Sequence, residues 1–372
     1  MSSTVPEWKS LMRSNIRRGS DLPDLDGLKQ DEIDNVRKLY PFFSNAYYTS
    51  LIREEGDPIW QQIIPSEQEL NDPTYYMEDA VGEDGDDSPV KHLTHRYPDR
   101  VLFTVTYTCA IYCRFCTRKR KVGKNPVPPW NEMQDVFSYL REHTEIRDVL
   151  LSGGDPLLLE DNYLERILNE LRSIPHIEVL RIGTKLPCVL PQRVTEGLTD
   201  VLKRYHPLFV NTHFNHPREL TEEASVACGR LIDAGIPVGC QTVLLKGVND
   251  DPEIMKELML GLLKMRVKPY YLYQADLVKG THHFRTDVST GLQIMNYLQG
   301  NISGFAVPMY VIDAPGGGGK MTVGPNRMVS VDDEWIVLRN YEGKEFRYPA
   351  SGSHDAEIPS EYLTGTILAD YL

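Results

Sequence analysis

Residues 101–116, VLFTVTYTCAIYCRFC, read as a strand that runs directly into a loop of closely spaced cysteines: Val101–Tyr107, then Cys109, Cys113 and Cys116. The first half is β-branched and aromatic, the composition of a packed strand. The second half has the spacing C-x3-C-x2-C. Thiolates are the preferred protein ligands of iron–sulfur clusters, and a short loop with these steps can wrap one cluster. Three thiolates on a 4Fe–4S cube leave one iron open to bind a further molecule, as catalytic metal sites keep a position open. Zinc is the main rival, but it needs a fourth ligand and the paired C-x2-C knuckles are missing. Three inert structural thiols are the plain alternative.

Outward from this stretch the chain alternates. Strand-like runs are predicted at 101–107, 147–151, 178–182, 208–212, 237–244, 268–274 and 306–312, and helix-like stretches near 131–141, 161–173, 195–205, 219–234, 252–265 and 288–299. Strands alternating with helices mean a parallel sheet with crossover helices. Periodicity leaves an open sheet and an open barrel both available. Ser152–Asp155, Thr212–His216, Gln241, Gln274–Asp276 and Asp313 all fall at C-terminal strand ends. In a barrel those ends converge on one face, where chemistry is built.

The expected fold is α/β: a partial, open TIM-type barrel of parallel strands with a helical N-terminal extension and a small C-terminal β-hairpin. The expected domains are residues 1–90, helical with an acidic loop; 91–325, the catalytic core; and 326–372, a hairpin and tail. Residues 20–70 read as mainly helical, with a helix over Lys29–Leu39 that Pro41 stops. Residues 335–349 read as a hairpin turning at Gly343.

Composition narrows the class of function. The formal charge of −13 argues against nucleic acid as the main partner. No run of apolar residues is long enough to span a membrane, and MSSTVPEWKS has no secretory h-region. The six cysteines do not form a disulfide framework, and a reducing cytoplasm fits them better. Part of the acidity sits in Glu78–Asp87, EDAVGEDGDD, which reads as a solvated loop or linker because packing it would crowd like charges. A compact basic patch, Lys91–Arg100, follows it.

The other unusual segment is Val311–Lys320, VIDAPGGGGK. Four consecutive glycines are costly in a packed element, so a backbone that closely approaches a ligand and orients Lys320 is the expected gain. A Walker phosphate loop fails on spacing: Ala314 stands where its first glycine should be, and Met321 where its Ser or Thr should be. A lysine on such a loop can instead hold pyridoxal phosphate.

The cysteine loop resembles the signature of the radical S-adenosylmethionine superfamily, and Ser152-Gly153-Gly154-Asp155 resembles that superfamily's Gly-Gly-Asp element after the second strand. Longer blocks are similar to the lysine 2,3-aminomutase family: 93–106, 113–123, 149–159, 181–195, 210–223, 243–250, 268–286 and 311–320. The resemblance implies an isomerase that exchanges an amino group and a hydrogen between neighbouring carbons of an amino acid. Its implied cofactors are a 4Fe–4S cluster on Cys109, Cys113 and Cys116, S-adenosylmethionine, and pyridoxal 5′-phosphate. It implies that Lys320 holds the pyridoxal phosphate and that Arg96, Tyr97 and Arg100 contact that cofactor and its phosphate. Ser152, Gly153, Gly154, Asp155 and Gln241 would contact the adenosylmethionine. Arg118 would pair with the substrate α-carboxylate, and Asp276 and Asp313 with a distal ammonium. Two carboxylates in one pocket repel unless a cation neutralises them, so a small cationic amino acid is the expected substrate, lysine first. An electron donor such as flavodoxin or ferredoxin is implied as well.

The chain departs from the family's pattern at one place. No cysteine follows Cys240, and position 252 is Pro, so the family's zinc-binding cysteines have no counterpart. A homodimer is the expected assembly. The alternatives are a 2,3-aminomutase for arginine or ornithine, which satisfy the same charge test, and a radical S-adenosylmethionine enzyme that acts on an amino acid without amino migration.

Overall fold

The structure, a computed structural model, describes residues 5–22, 30–124 and 127–350. At its centre lies one nine-stranded sheet in sequential order: Leu93–Tyr97 (β1), Arg100–Thr106 (β2), Asp148–Gly153 (β3), Val179–Gly183 (β4), Leu208–His213 (β5), Val238–Leu244 (β6), Lys268–Gln274 (β7), Met309–Ala314 (β8) and Gly319–Thr322 (β9). Neighbours from β2 to β8 are all parallel. The outermost strands, β1 and β9, are antiparallel to β2 and β8. They do not pair with each other, which leaves a seam, and the Lys320 backbone N–H on β9 crosses it to donate to Tyr97 Oη at 2.9 Å. The fold is the expected open barrel, made mixed by its two edge strands.

The two-residue strand period builds both a core and a cavity. On β3, Val149 and Leu151 point outward into the core, while Leu150 and Ser152 line the interior. Cys240 and Leu244 on β6 are core residues, and Gln241 and Val243 line the interior between them. Seven helices follow or connect these strands: Trp130–Glu142, Asp161–Arg172, Leu186–Val189, Glu196–Leu202, Glu222–Asp233, Pro252–Lys264 and Val288–Asn301. Asp161–Arg172 buries Leu164, Ile167, Leu168 and Leu171, one helical stripe against the sheet. Thr195, Thr221 and Asp251 cap the N-termini of three of the helices with side-chain oxygens.

The structure corrects several expectations. Residues 30–70 are less helical than their charge pattern suggests, holding only Gln30–Arg37, Ala46–Thr49, Pro58–Ile63 and a short turn at Glu67–Leu70. Part of the expected 20–70 span, residues 23–29, lies outside the described residues. The basic patch is partly a strand, β1, which the tight turn at Pro98–Asp99 folds back onto β2. The last barrel strand starts later than expected, so Asp313 lies within β8 rather than after it. The glycine run is a hairpin turn, with Gly316, Gly317 and Gly319 at positive φ, and Lys320 is on β9 directly opposite Asp313. The expected hairpin forms from Trp335–Arg339 and Glu345–Pro349 around Gly343, with an unforeseen third strand, Met328–Val331. Among the described residues no helix is long and apolar enough to cross a membrane.

Candidate active site

One cavity of about 690 Å³ runs through the barrel, and every site residue singled out from the sequence lines it. The three cysteines lie at its wall on the loop after β2, all unpaired. No three His, Cys, Asp or Glu side chains among the described residues meet as they would around a single metal ion. A cube takes each thiolate on its own iron, so its ligands need not converge on one point.

The loop is held from outside by residues that pattern reading missed. The Arg114 guanidinium makes a two-pronged pair with Glu69 at 2.8 and 2.6 Å and donates to the Pro41 carbonyl at 2.7 Å. Lys119 joins the same carboxylate at 2.7 Å and donates to the Gly280 carbonyl at 2.7 Å. All three side chains are buried, and burial pushes Lys119 down to about 8, with Glu69 opposing the shift. The N-terminal segment therefore braces the cysteine loop. Removing one partner of a buried ion network strands the others. Glu69→Gln is accordingly expected to lower stability by about 3–5 kcal/mol, read as a fall in the urea midpoint. An unchanged midpoint would contradict this brace.

Backbone contact explains the glycine pair after β3. The Gly154 N–H donates to the Thr106 carbonyl at 2.6 Å, and the Asp155 N–H to the Thr108 carbonyl at 2.8 Å. A Cβ on Gly153 would stand 2.1 Å from the Thr106 carbonyl oxygen, and one on Gly154 2.3 Å from that of Thr108. Only glycines let the second parallel strand's loop press this closely on the cysteine loop. Asp155 is buried and accepts hydrogen bonds from the Thr184 hydroxyl, the Lys185 N–H and the Leu157 N–H. It ties the loops after β3 and β4 together, and burial raises it to about 6. Ser152 and the Gln241 amide remain facing the cavity, and the Gln241 side chain has no hydrogen-bond partner among the described residues.

The opposite wall is formed at the seam. Lys320 Nζ sits 2.7 Å from Asp313 Oδ2 and 5.7 Å from the centre of the Tyr273 ring. Arg96 donates from Nε to Asp87 at 2.8 Å and from Nη2 to the Val81 carbonyl, and its Nη1 lies 3.7 Å from Asp313. Arg100 stacks over Tyr97 at 4.0 Å and pairs with Asp99 at 2.7 Å. An amine, two arginines and a tyrosine thus border one wall, a donor set suited to a phosphorylated aldehyde cofactor.

Two carboxylates face the same space. Asp313 Oδ1 is buried with no hydrogen-bond partner, and no hydrogen bond reaches the Asp276 carboxylate among the described residues. Burial, then Asp313, push Asp276 up to about 7, with Lys320 opposing them. Arg118 lies nearby, donating from Nη1 to Ser152 Oγ and to the Gly153 carbonyl, both at 3.1 Å. The acidic run was expected to be solvated. It is a loop with Glu78, Asp84 and Asp86 exposed, as expected, but several of its acids are paired: Glu83 with Arg118, Asp84 with Arg120 and Lys121, Asp87 with Arg96. The unbroken basic run at 118–121, opposite in sign to the acids at 79–87, was the missed signal.

An open parallel barrel with three free cysteines after its first parallel strand defines a radical S-adenosylmethionine enzyme, and residues 103–259 match the family model described as Radical SAM superfamily. Residues 295–367 match the model described as Lysine-2,3-aminomutase. The L-lysine 2,3-aminomutase of Methanococcus maripaludis is 50% identical over 92% of this chain and 82% of its own length. That of Clostridium subterminale is 48% identical over 91% and 82%. The glutamate 2,3-aminomutase of Clostridioides difficile is 42% identical over 92% and 83%. The chain belongs to the lysine 2,3-aminomutase family.

Proposed function

We propose that the protein is an L-lysine 2,3-aminomutase that interconverts L-α-lysine and L-β-lysine. The observation that carries the choice of substrate is the Asp276 carboxylate, which no hydrogen bond reaches among the described residues, beside the Asp313 Oδ1, which is buried without one. Two such acids favour a distal ammonium and disfavour the distal carboxylate of glutamate. Arginine and ornithine carry the same charge, and lysine is favoured by the family.

In this reading Cys109, Cys113 and Cys116 hold a 4Fe–4S cluster, and Ser152, the Gly153–Gly154 backbone and Gln241 face S-adenosylmethionine. Lys320 holds pyridoxal phosphate, with Arg96, Tyr97 and Arg100 beside it. Together these groups supply a hydrogen-abstracting radical and a π-system that offers nitrogen a low-barrier route between adjacent carbons. The chain supplies position and charge. Arg118 grips the α-carboxylate, Asp276 and Asp313 fix the ammonium, and the substrate is anchored at both ends. The seam closure by Tyr97, Lys320 and the acidic loop keeps water from the reacting carbons. A one-electron donor of the flavodoxin or ferredoxin type and a homodimeric assembly complete the proposal.

The discriminating comparison is lysine against glutamate. A kcat/KM at least about a hundredfold higher for lysine is expected, the scale of losing a buried charge partner. Equal turnover of glutamate would overturn the pocket reading. A pH effect follows as well. Asp276, held near 7 in the free enzyme, binds an ammonium only when ionised. The KM for lysine should therefore fall as pH rises from about 6 to 8, approaching tenfold per unit below the midpoint. The slope should vanish in Asp276→Asn. A flat profile in the parent enzyme would contradict the assignment of Asp276.

A further inference from the structure

A guanidinium offers five N–H donors. In Arg118, Nε donates to Glu83 at 2.9 Å and Nη2 donates to Glu83 at 2.5 Å. Both Nη1 hydrogens are taken by Ser152 Oγ and the Gly153 carbonyl. One Nη2 hydrogen is left, so a second carboxylate cannot be held by two parallel bonds while Glu83 stays. Glu83 already makes the contact expected of a substrate carboxylate, and it too lines the cavity.

We propose that Glu83 is an internal stand-in for the substrate carboxylate: it occupies Arg118 while no amino acid is bound and leaves when one enters. This rests on the reading of Arg118 as the carboxylate anchor. The exchange swaps one carboxylate for another, so Arg118 is never left as an uncompensated charge in a closed cavity.

The backbone around Glu83 suits such a movement. Gly82 precedes it with φ +69°, and a side chain on Gly85 would meet nothing within 4 Å. Ala80 and Val81 are buried apolar anchors, but from Glu83 onward the segment is held by polar contacts: Glu83 to Arg118, Asp84 to Arg120 and Lys121, and Asp87 to Arg96. An ion pair can be exchanged for an equivalent pair with an incoming carboxylate, whereas apolar packing has no such replacement. Glu83 is thus a gate on the anchor rather than a fixed brace behind it.

The test uses the fully reconstituted enzyme and two readouts. Glu83→Gln should lower the KM for lysine by about threefold to tenfold, because the competing closed state loses its charge pair, with the change falling in KM rather than kcat. In the parent enzyme, saturating lysine should speed amide hydrogen exchange across residues 78–87. 1,5-Diaminopentane, which has the ammonium groups and no carboxylate, should not. A KM that rises in Glu83→Gln, or exchange that lysine leaves unchanged or slows, would overturn the proposal and make Glu83 a brace. If lysine is not a substrate, the function reading fails separately. The exchange comparison, repeated with the amino acid that is turned over and its decarboxylated analogue, then decides the role of Glu83.

Discussion

Cys113→Ser is expected to abolish both β-lysine formation and the cleavage of S-adenosylmethionine, while the protein stays folded. The loop offers only three thiolates, and each lies on the same cavity wall. A serine hydroxyl is harder and far less acidic than a thiol, so it is a poor ligand for cluster iron. Losing one of three ligands should cost more than the roughly tenfold to hundredfold typical of residues that only orient a ligand. The outer support is unaffected, because the Arg114–Glu69–Lys119 network does not use the Cys113 side chain. Iron and sulfide content after anaerobic reconstitution, together with deoxyadenosine release, reads the outcome. A variant with full iron content and normal deoxyadenosine release would remove Cys113 from the cluster.

Asp276→Asn separates substrate recognition from radical generation. The substitution keeps the shape and removes a cavity carboxylate that has no hydrogen-bond or ion-pair partner among the described residues. Truncating one partner of a buried charge pair costs about 2–5 kcal/mol, so kcat/KM for lysine should fall roughly thirtyfold to several thousandfold. Cluster content and the slow cleavage of S-adenosylmethionine without substrate should be unchanged, because Asp276 is on the loop after β7 and the cysteines follow β2. Asp313 is the less clean target, since its loss also frees Lys320. A lysine kcat/KM within twofold of the parent would place the ammonium elsewhere.

The barrel was largely readable because its information is local. Strand and helix periods alternate from 101 onward, and the polar residues that end each strand mark one face. What resisted reading was set by tertiary pairing. β1 is five residues with a histidine and an arginine, and β9 begins in a glycine run, so neither carries a strand's composition. Both exist because an edge of the parallel sheet is there to pair with. The acidic segment looked solvated because its like charges are adjacent in sequence. Its partners, Arg96, Arg118, Arg120 and Lys121, come from other elements, and the fold interleaves the two signs.

The candidate site shows the same division. Cys109, Cys113, Cys116, the glycine pair and Lys320 announce themselves by spacing and residue type. Arg114 and Glu69 do not, because a buried ion network between a cysteine loop and residues 45 positions away has no linear signature. Asp155 reads as part of a ligand motif, yet its oxygens are engaged by the loop after β4, and only coordinates reveal that.

The central claim is that this one cavity moves the amino group of lysine between adjacent carbons. Its most direct test is to incubate the anaerobically reconstituted enzyme, S-adenosylmethionine, pyridoxal phosphate and a strong reductant with lysine labelled by ¹⁵N at the α-amino group. Nuclear magnetic resonance of the products should then show ¹⁵N on C3 of β-lysine, with S-adenosylmethionine needed but not consumed in proportion to product. Deoxyadenosine accumulating with all ¹⁵N still on C2 would contradict the account, leaving a radical enzyme that does not migrate nitrogen.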